Sequence, residues 1–286
     1  MSFKSPPEIA RTGVATGATK AALTWDKALV AGFLAGAYIA FAGLLAIVAS
    51  AGMDPKLWGG VQTLVTGGVF ALGLVLVVVA GSELLTGNMA MLPLALLGRR
   101  ATVGRMSYNF FFVLIGNLLG SLFVAYFLAK ETGVVTAELP LARLTAIATA
   151  KAHTETDWQI FLRAMGCNWL VCLAVWMAIG AEDVGGKVLA IFFPIMAFVA
   201  LGFDHVVANM FFLPAAIFAH VPGIGWDDTL KNWVFAFLGN LVGASIFVAT
   251  TYWYLYVRDE PEPSAGGVAA TGDPSTFADG RSRSTA

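Results

Sequence analysis

The sequence predicts an all-α membrane protein, a six-span bundle made of two inverted repeats whose second and fifth helices are broken. Of the 286 residues, 58% are hydrophobic and 12% are charged, whereas a soluble domain carries roughly 25% charged residues. Six hydrophobic blocks follow one another, and the second and fifth share a pattern of glycine and polar residues. Together these observations indicate a bilayer as the solvent and a polar pathway inside the protein.

Each of the six blocks is long enough to cross a bilayer as a helix. The blocks are Ala28–Ala51, Gly59–Leu97, Tyr108–Lys130, Ile160–Ala181, Val188–Ala219 and Leu230–Val257. The second and fifth are too long for one plain span, so we predict a long half-helix, a turn and a short half-helix in each. Gly81, Gly87 and Gly202 permit the turns. Pro93 and Pro214 are expected within the short halves.

The polar pattern occurs twice. Gly81–Met89 (GSELLTGNM) matches Gly202–Met210 (GFDHVVANM) at an offset of 121 residues, and Gly116–Gly120 (GNLLG) resembles Gly239–Gly243 (GNLVG) at an offset of 123. Three spans per repeat is an odd number, so the two copies enter the membrane in opposite directions and the breaks meet near the midplane. A carboxylate facing lipid is costly, so these positions are expected to face a protected pathway.

We expect three parts along the chain. Residues 1–27 form a cytoplasmic segment with an amphipathic surface helix, because Ser5 and Glu8 suit a capping box around two prolines. Residues 28–258 form the six-span channel domain, and residues 259–286 form a disordered cytoplasmic tail rich in Pro, Gly and Ser. With both termini inside, the inner segments hold eleven and the outer segments six of the 17 Lys and Arg residues, which favours that orientation.

Several other functions find no support in composition or spacing. The net charge of −1 gives no reason to expect nucleic-acid binding. Three scattered histidines and two cysteines show no metal-ligand spacing and no nucleophile–base pair, so we expect no cofactor, no metal site and no enzymatic activity. A neutral-solute channel of the aquaporin type would carry Asn-Pro-Ala at the half-helices, where this sequence has Asn-Met. An ammonium channel would show paired pore histidines, whereas only His205 lies inside a hydrophobic block. A non-transporting subunit of a respiratory complex stays as the alternative from another class.

Polar residues at the two breaks are the candidates for function. His205 can donate a hydrogen bond or pass a proton to an anion, unless it is a structural histidine. Thr86 can donate its hydroxyl proton to a substrate or to His205, or bond its own backbone. A charged carboxylate would repel an anion, so Glu83 and Asp204 are expected to be supports that accept backbone N–H groups or orient His205.

Further candidates surround the breaks. Asn88 and Asn209 are expected to cap the short half-helices. Asn168 either lines the pathway or bonds another helix, and Lys151 and Arg163 either add to the field outside or are solvated charges. An exposed half-helix N-terminus carries about half a positive unit charge, so two such ends converging at the midplane attract a small anion.

Three motifs resemble signatures of the formate/nitrite transporter family: GSELLTGNM, CNWLVCLAVWM and GFDHVVANMFFLP. The resemblance runs from about Ser5 to Val257. It implies an aquaporin-like fold of six spans, a homopentamer with one pore per subunit, and a place in a prokaryotic inner or plasma membrane. It implies that Thr86 lies on an Ω-shaped loop, that His205 is the central histidine, and that Asn168 and Lys151 lie near the polar residues of the pore and outer vestibule. Asn209, beside His205 in the motif, is a further candidate for the pathway.

The same resemblance implies two hydrophobic constrictions. The cytoplasmic one is expected from Phe70, Leu74 and Phe198. The periplasmic one is expected from Leu84, Leu85 and Val171. The sequence departs from many formate channels in having Leu85 where they carry Phe and Asp204 where they carry Glu, which leaves the choice of substrate open.

The expected function is a channel or proton-coupled transporter for small monovalent anions, formate first, with nitrite or hydrosulfide as alternatives. A charge at mid-membrane costs about 2.5–3.5 kcal/mol, so two apolar constrictions would block a dry anion. Protonation between them, aided by His205 and Thr86, would let the neutral acid cross. The expected partners are the anion, protons, the lipid bilayer and further copies of the chain.

Overall fold

The computed structural model describes residues 3–259, and this part of the chain is almost entirely helical. The predicted tail, apart from its first residue, lies outside the described residues. The helices are α1 Pro6–Ala21, α2 Trp25–Ser50, α3 Pro55–Trp58, α4 Gly60–Ala80, α5 Leu85–Leu97, α6 Val103–Phe123, α7 Glu138–Thr149, α8 Asp157–Gly180, α9 Val184–Ala200, α10 Val206–Phe218, α11 Trp226–Ala244 and α12 Thr251–Tyr256. π-Helical turns extend α6 to Lys130 and α7 to Thr154, and join α11 to α12.

Five helical stretches are long and apolar enough to cross a membrane. They are Trp25–Ser50, Gly60–Ala80, Val103–Lys130, Asp157–Gly180 and Trp226–Tyr256. The fifth predicted block is the pair α9 and α10, in which α9 has 17 residues. The all-α membrane class is therefore confirmed, and the number of six spans stays a prediction.

Both long blocks are broken where the sequence predicts. Residues 81–84 separate α4 from α5, and residues 201–205 separate α9 from α10. Gly81 (φ 80°) and Gly202 (φ 71°) adopt left-handed backbone conformations, which glycine tolerates without a steric penalty. Gly87 lies inside α5 and takes no part in the turn. The two prolines of the pattern lie inside the short halves α5 and α10.

The packing also repeats. Helix α2 packs against α4 and α6, and α8 packs against α9 and α11, while α4 and α9 meet between the two halves. Glycines allow the close crossings: a Cβ on Gly120 would collide with the carbonyl of Phe33, and one on Gly243 would collide with the carbonyl of Met165. The matched GNLLG and GNLVG segments are therefore sites where two helices approach each other closely.

Helix α1 begins at the predicted capping box, in which the Ser5 N–H donates to Oε2 of Glu8 at 2.8 Å. The helix packs on α5 and α8, and its buried face contains Ile9, Gly13 and Gly17. Helix α7 takes the equivalent place on the other side, against α10 and α2. The structural repeat is therefore longer than the sequence motifs indicate, since α1 belongs to the first half as α7 belongs to the second.

Candidate functional site

Two open cavities lead towards the two breaks from opposite sides. The α7 cavity, of about 250 Å³, is lined by residues that include Phe70, Arg143, Lys151, Glu155, Arg163, Phe198 and His205. The α1 cavity, of about 420 Å³, is lined by residues that include Lys20, Leu74, Glu83, Leu84, Asn88 and Lys187. Each cavity thus combines cationic side chains with apolar residues at its deep end.

His205 and Thr86 connect the two breaks. Nε2 of His205 lies 2.8 Å from Oγ1 of Thr86, and both residues are buried. Nδ1 of His205 accepts the backbone N–H of Ala208 at 3.1 Å, which makes this side chain the N-cap of α10. Because Nδ1 accepts, it carries no proton, and a neutral ring holds its proton on Nε2, where it donates to Thr86.

This contact determines what the pair offers to a ligand. With Oγ1 of Thr86 accepting from His205, the hydroxyl proton of Thr86 is available to an oxygen atom of a substrate. Thr86 lies in the first turn of α5 and His205 caps α10, so the positive ends of both half-helix dipoles meet at this contact. The arrangement suits a small anion or its conjugate acid.

One asparagine holds the backbone of the first break. Oδ1 of Asn117 accepts the N–H of Leu85 at 2.9 Å. Its Nδ2 donates to the carbonyl of Glu83 at 2.9 Å and to the carbonyl of Gly32 at 2.8 Å. The three bonds connect α6 to the break and to α2, so backbone groups that a helix would otherwise satisfy have partners.

Asn240 does the same in the second half. Its Oδ1 accepts the N–H of Val206 at 2.9 Å. Its Nδ2 donates to the carbonyl of Asp204 at 2.9 Å and to that of Ala164 at 2.7 Å. Asn117 and Asn240 are the asparagines of the matched GNLLG and GNLVG segments. The second sequence match therefore marks the residues that hold the backbone of the two breaks.

A closed ring of polar contacts surrounds Glu83. Nζ of Lys20 donates to Oε1 of Glu83 at 2.7 Å, and Nδ2 of Asn88 donates to Oε2 at 2.8 Å. Asn88 also donates to Oδ1 of Asn109 at 2.8 Å, and Asn109 donates back to the carbonyl of Lys20 at 2.9 Å. The ring ties α1, the first break, α5 and α6 together.

The same ring surrounds Asp204. Nζ of Lys151 and Nδ2 of Asn209 donate to Oδ1 of Asp204 at 2.6 and 2.8 Å. Asn209 also donates to Oδ1 of Asn232 at 2.8 Å, and Asn232 donates to the carbonyl of Lys151 at 3.2 Å. Lys20 and Lys151 are therefore equivalent, although their offset of 131 residues differs from the offsets of the motifs.

These rings correct two expectations. The carboxylates of Glu83 and Asp204 accept from lysine and asparagine side chains, whereas backbone N–H groups and His205 were expected. Asn88 and Asn209 do not cap their half-helices, because their amides, five residues beyond the carboxylates, turn back to them. His205 itself provides the side-chain cap of α10.

Glu155 lies beside the second ring and is the main difference from the first. Its Oε1 accepts from Nη1 of Arg163 at 2.7 Å, and its carboxyl lies next to that of Asp204. Oε2 of Glu155 and Oδ2 of Asp204 are buried and accept no hydrogen bond from an N–H group or hydroxyl in residues 3–259, and the two carboxyl groups hydrogen-bond each other when Glu155 holds a proton. Burial and the neighbouring Asp204 raise the pKa of Glu155 to about 8, so this carboxyl is neutral at pH 7.

An aromatic cluster covers His205 in the α7 cavity. The rings of Phe70 and Phe198 meet edge to face with centroids 5.9 Å apart, and Phe198 lies 6.0 Å from the imidazole. Phe212 stacks on Phe70 at 6.5 Å. Phe212 was missed from the sequence because it lies within the unbroken apolar run of α10, where nothing sets it apart from core residues.

The predicted orientation and the predicted sides of the constrictions do not fit each other. With both termini inside, α1 would be inside and the α1 cavity would be the inner one. Phe70 and Phe198 line the α7 cavity, whereas Leu74 and Leu84 line the α1 cavity. Phe70 and Leu74 are about 6 Å apart along α4, one helical turn, so the group predicted for the cytoplasmic constriction divides between the two cavities.

The remaining predicted residues lie deeper in the protein. Leu85 and Val171 are buried and are absent from the linings of both cavities. Asn168 donates to the carbonyl of Thr86 at 3.1 Å and to the carbonyl of Asn240 at 2.8 Å. Its contacts fit the alternative of a helix–helix hydrogen bond. Asn168 therefore holds the first turn of α5 in position through its hydrogen bond to the carbonyl of Thr86.

The chain resembles proteins of known type over almost its whole length. The family model described as formate/nitrite transporter matches residues 7–254. A probable formate transporter of Methanothermobacter thermautotrophicus is 46% identical over 273 residues, which are 90% of this chain and 99% of that protein.

Two solved structures share the fold. One, an FNT family ion channel, superposes with a TM-score of 0.80 at 32% identity, covering 87% of this chain and 98% of that one. The other is a pentameric formate channel with formate bound, with a TM-score of 0.72 at 30% identity, covering 81% and 97%. These relatives are transporters and channels, not enzymes. With its two broken helices, paired asparagines and buried Thr86–His205 contact, the chain belongs to the formate/nitrite transporter family.

Proposed function

We propose that this protein is a channel for small monovalent anions, formate first, in which the anion crosses the centre as its neutral acid. The observation that carries the proposal is the buried contact of Thr86 with His205 between two cavities that both contain cationic side chains. The cations and half-helix ends attract an anion, and the apolar residues beyond them oppose its passage while it is charged.

Protonation resolves that conflict. A bare charge at mid-membrane costs about 2.5–3.5 kcal/mol, and formate that takes up a proton loses this cost. The proton must enter with each formate ion, because Nδ1 of His205 is occupied by the N–H of Ala208 and the resting ring is neutral. Thr86 hydrogen-bonds the acid and, together with His205, passes this proton on, so each cycle moves one proton with one anion.

Formate is favoured over nitrite by the names of the relatives, which include a probable formate transporter and a formate channel with formate bound. The family description includes nitrite, so nitrite is the second candidate. Both anions offer oxygen atoms that can accept the hydroxyl proton of Thr86, which in turn accepts from His205. Hydrosulfide has no oxygen atom to accept this hydrogen bond, so it ranks below formate and nitrite.

We further propose a homopentamer in a prokaryotic inner or plasma membrane, with six spans, both termini in the cytoplasm and the three-part organisation expected from the sequence. The pentameric channel to which the chain is similar supports the assembly. The exposed apolar residues of the spanning helices, such as Phe111, Phe193 and Val234, suit contact with lipid or with neighbouring copies.

The test is a stopped-flow flux panel on purified protein in liposomes, with formate, nitrite and hydrosulfide at two pH values. We expect formate flux to exceed nitrite flux and to rise as the pH falls. His205→Leu is expected to lower formate flux about 100-fold, the usual scale for losing a proton-transfer group, and Lys130→Gln on the exposed surface is the control. A wild-type protein without flux of any of these anions would favour the non-transporting subunit.

A further inference from the structure

Each cavity contains one cation that has no carboxylate within ion-pair distance. In the α7 cavity, Lys151 pairs with Asp204 and Arg163 pairs with Glu155. In the α1 cavity, Lys20 pairs with Glu83. Within residues 3–259, Arg143 and Lys187 line these cavities without a carboxylate partner within 4 Å, so each cavity holds one cation outside any ion pair.

The guanidinium of Arg143 is anchored and has donors to spare. Its Nε donates to Oγ of Ser50 at 2.9 Å and its Nη2 to Oγ1 of Thr66 at 3.3 Å. Both hydroxyls donate onward to backbone carbonyls of their own helices, so they accept from Arg143. Two of the five N–H groups have these partners, and the described residues contain no partner for the other three. Burial lowers the pKa of Arg143, as expected for a cation that has lost water without gaining a carboxylate.

Lys187 occupies the equivalent place in the other half. It lies 121 residues after Thr66, the offset that relates the two breaks. Its Nζ donates to the carbonyl of Ala178 at 2.8 Å and has no other partner in the described part of the chain. The second half thus carries the cation on α9 itself, whereas the first half carries Thr66 there and receives Arg143 from α7.

Two different residues therefore put a free positive charge at one position of the repeat, and this recurrence points to a ligand of the opposite charge. We propose that Arg143 and Lys187 are two anion-docking sites, one at each mouth of the pathway, which bind formate before and after it crosses the Thr86–His205 centre. The inference rests on the proposed function for the identity of the anion.

The geometry also accounts for a pathway that works in both directions. An ion conducts when it binds well enough to enter and weakly enough to leave. A single cation with a few free donors in an open cavity meets that requirement, because one charge attracts the anion without enclosing it. Paired lysines such as Lys151 and Lys20 attract an anion less strongly, since their carboxylates cancel most of the field.

The experiment measures formate influx and efflux separately in proteoliposomes sorted for one orientation through a C-terminal tag. Arg143→Gln is expected to raise the half-saturating formate concentration about 5- to 10-fold from the α7 side, as loss of about 1 kcal/mol or slightly more requires, with little change from the α1 side. Lys187→Gln is expected to do the reverse. Permeability at low formate falls equally in both directions, as detailed balance demands.

Rescue separates docking from a structural role. Arg143→Gln combined with Thr66→Lys places the cation at the position that Lys187 occupies in the other half, and is expected to restore the wild-type half-saturation. This double variant also tests the proposal if Arg143→Gln alone fails to assemble. The surface variants Lys130→Gln and Lys27→Gln are the controls for the two sides.

The outcomes are distinct. Half-saturation unchanged by Arg143→Gln and by Lys187→Gln, with normal wild-type flux, would overturn the docking sites and leave the proposed function intact. The absence of formate flux in the wild type would reject the proposed function itself. A loss of flux in Arg143→Gln that neither Thr66→Lys nor Arg143→Lys restores would also reject docking, because it would assign Arg143 a role that depends on shape.

Discussion

The first and second helix breaks share their supports and differ in the residue that faces the pathway. Asn117 and Asn240 make three equivalent hydrogen bonds each. The corresponding position of the repeat, however, is Leu84 in the first break and His205 in the second. The comparison indicates that the repeated residues preserve the fold at the midplane, and that function lies where the copies differ.

The two carboxylate rings differ in the same sense. Glu83 and Lys20 are partly exposed, whereas the side chain of Asp204 is fully buried beside Lys151 and Glu155. Asp204, with its neighbours Lys151 and Glu155, therefore supports the fold and also influences the charge of the α7 cavity. The ring around Glu83 has only the supporting role.

The largest expected effect distinguishes these rings. Asp204→Ala removes the fully buried member of the pair and leaves Lys151, whose side chain is 12% exposed, without its partner; removal of one member of a buried pair costs roughly 3–5 kcal/mol. Glu83→Ala is expected to cost about 1.5–3 kcal/mol, the range for hydrogen bonds to charged groups, because water reaches Lys20. Thermal unfolding of the purified protein measures both, with Glu131→Ala in an exposed pair as the control. Equal losses of stability in Asp204→Ala and Glu83→Ala would show that the different burial of the two carboxylates does not change their contribution to stability.

A smaller effect concerns pH and only the second ring. Asp204, Lys151 and Arg163 face Glu155, and Arg143 and His205 line the same cavity. As the pH rises through about 8, Glu155 ionises and the cavity loses one net positive charge. The half-saturating formate concentration from the α7 side is expected to rise about 2- to 5-fold between pH 7 and 9, for a change of up to about 1 kcal/mol.

Glu155→Gln keeps the neutral form and is expected to remove this rise, while half-saturation from the α1 side stays constant in both proteins. Influx and efflux assays at pH 7, 8 and 9 provide the measurement. The same rise in Glu155→Gln as in the wild type would assign the pH dependence to another group.

Much of the fold was predictable because the breaks carry strong local signals. Glycines and carboxylates in apolar runs, repeated at a constant offset of 121 residues, identify Gly81 and Gly202 as the turns, and both have a left-handed backbone in the structure. Asn109 and Asn232 also share the offset of 123 residues, so a comparison of the two halves pairs them. The contact of Thr86 with His205 follows once the two breaks meet at the midplane.

Other features have no signal of this kind. Lys20 and Lys151 are separated by a different offset and lie on helices without a shared motif, so their equivalence appears only in the packing of α1 and α7. Arg143 looks like a solvated charge on a polar helix until α7 folds back over α2 and α4. The side of the pathway on which Phe70 and Leu74 lie depends on the direction in which α4 crosses the membrane. This direction follows from the predicted orientation and not from a local motif.

The central claim is that formate crosses the Thr86–His205 centre as a neutral acid. The direct measurement is simultaneous recording of formate flux, internal pH and membrane current in proteoliposomes. We expect one proton to accompany each formate ion, with no net current and no dependence of the flux on an imposed membrane potential. A current equal to the formate flux, without acidification of the interior, would show that the anion crosses charged and would contradict the account.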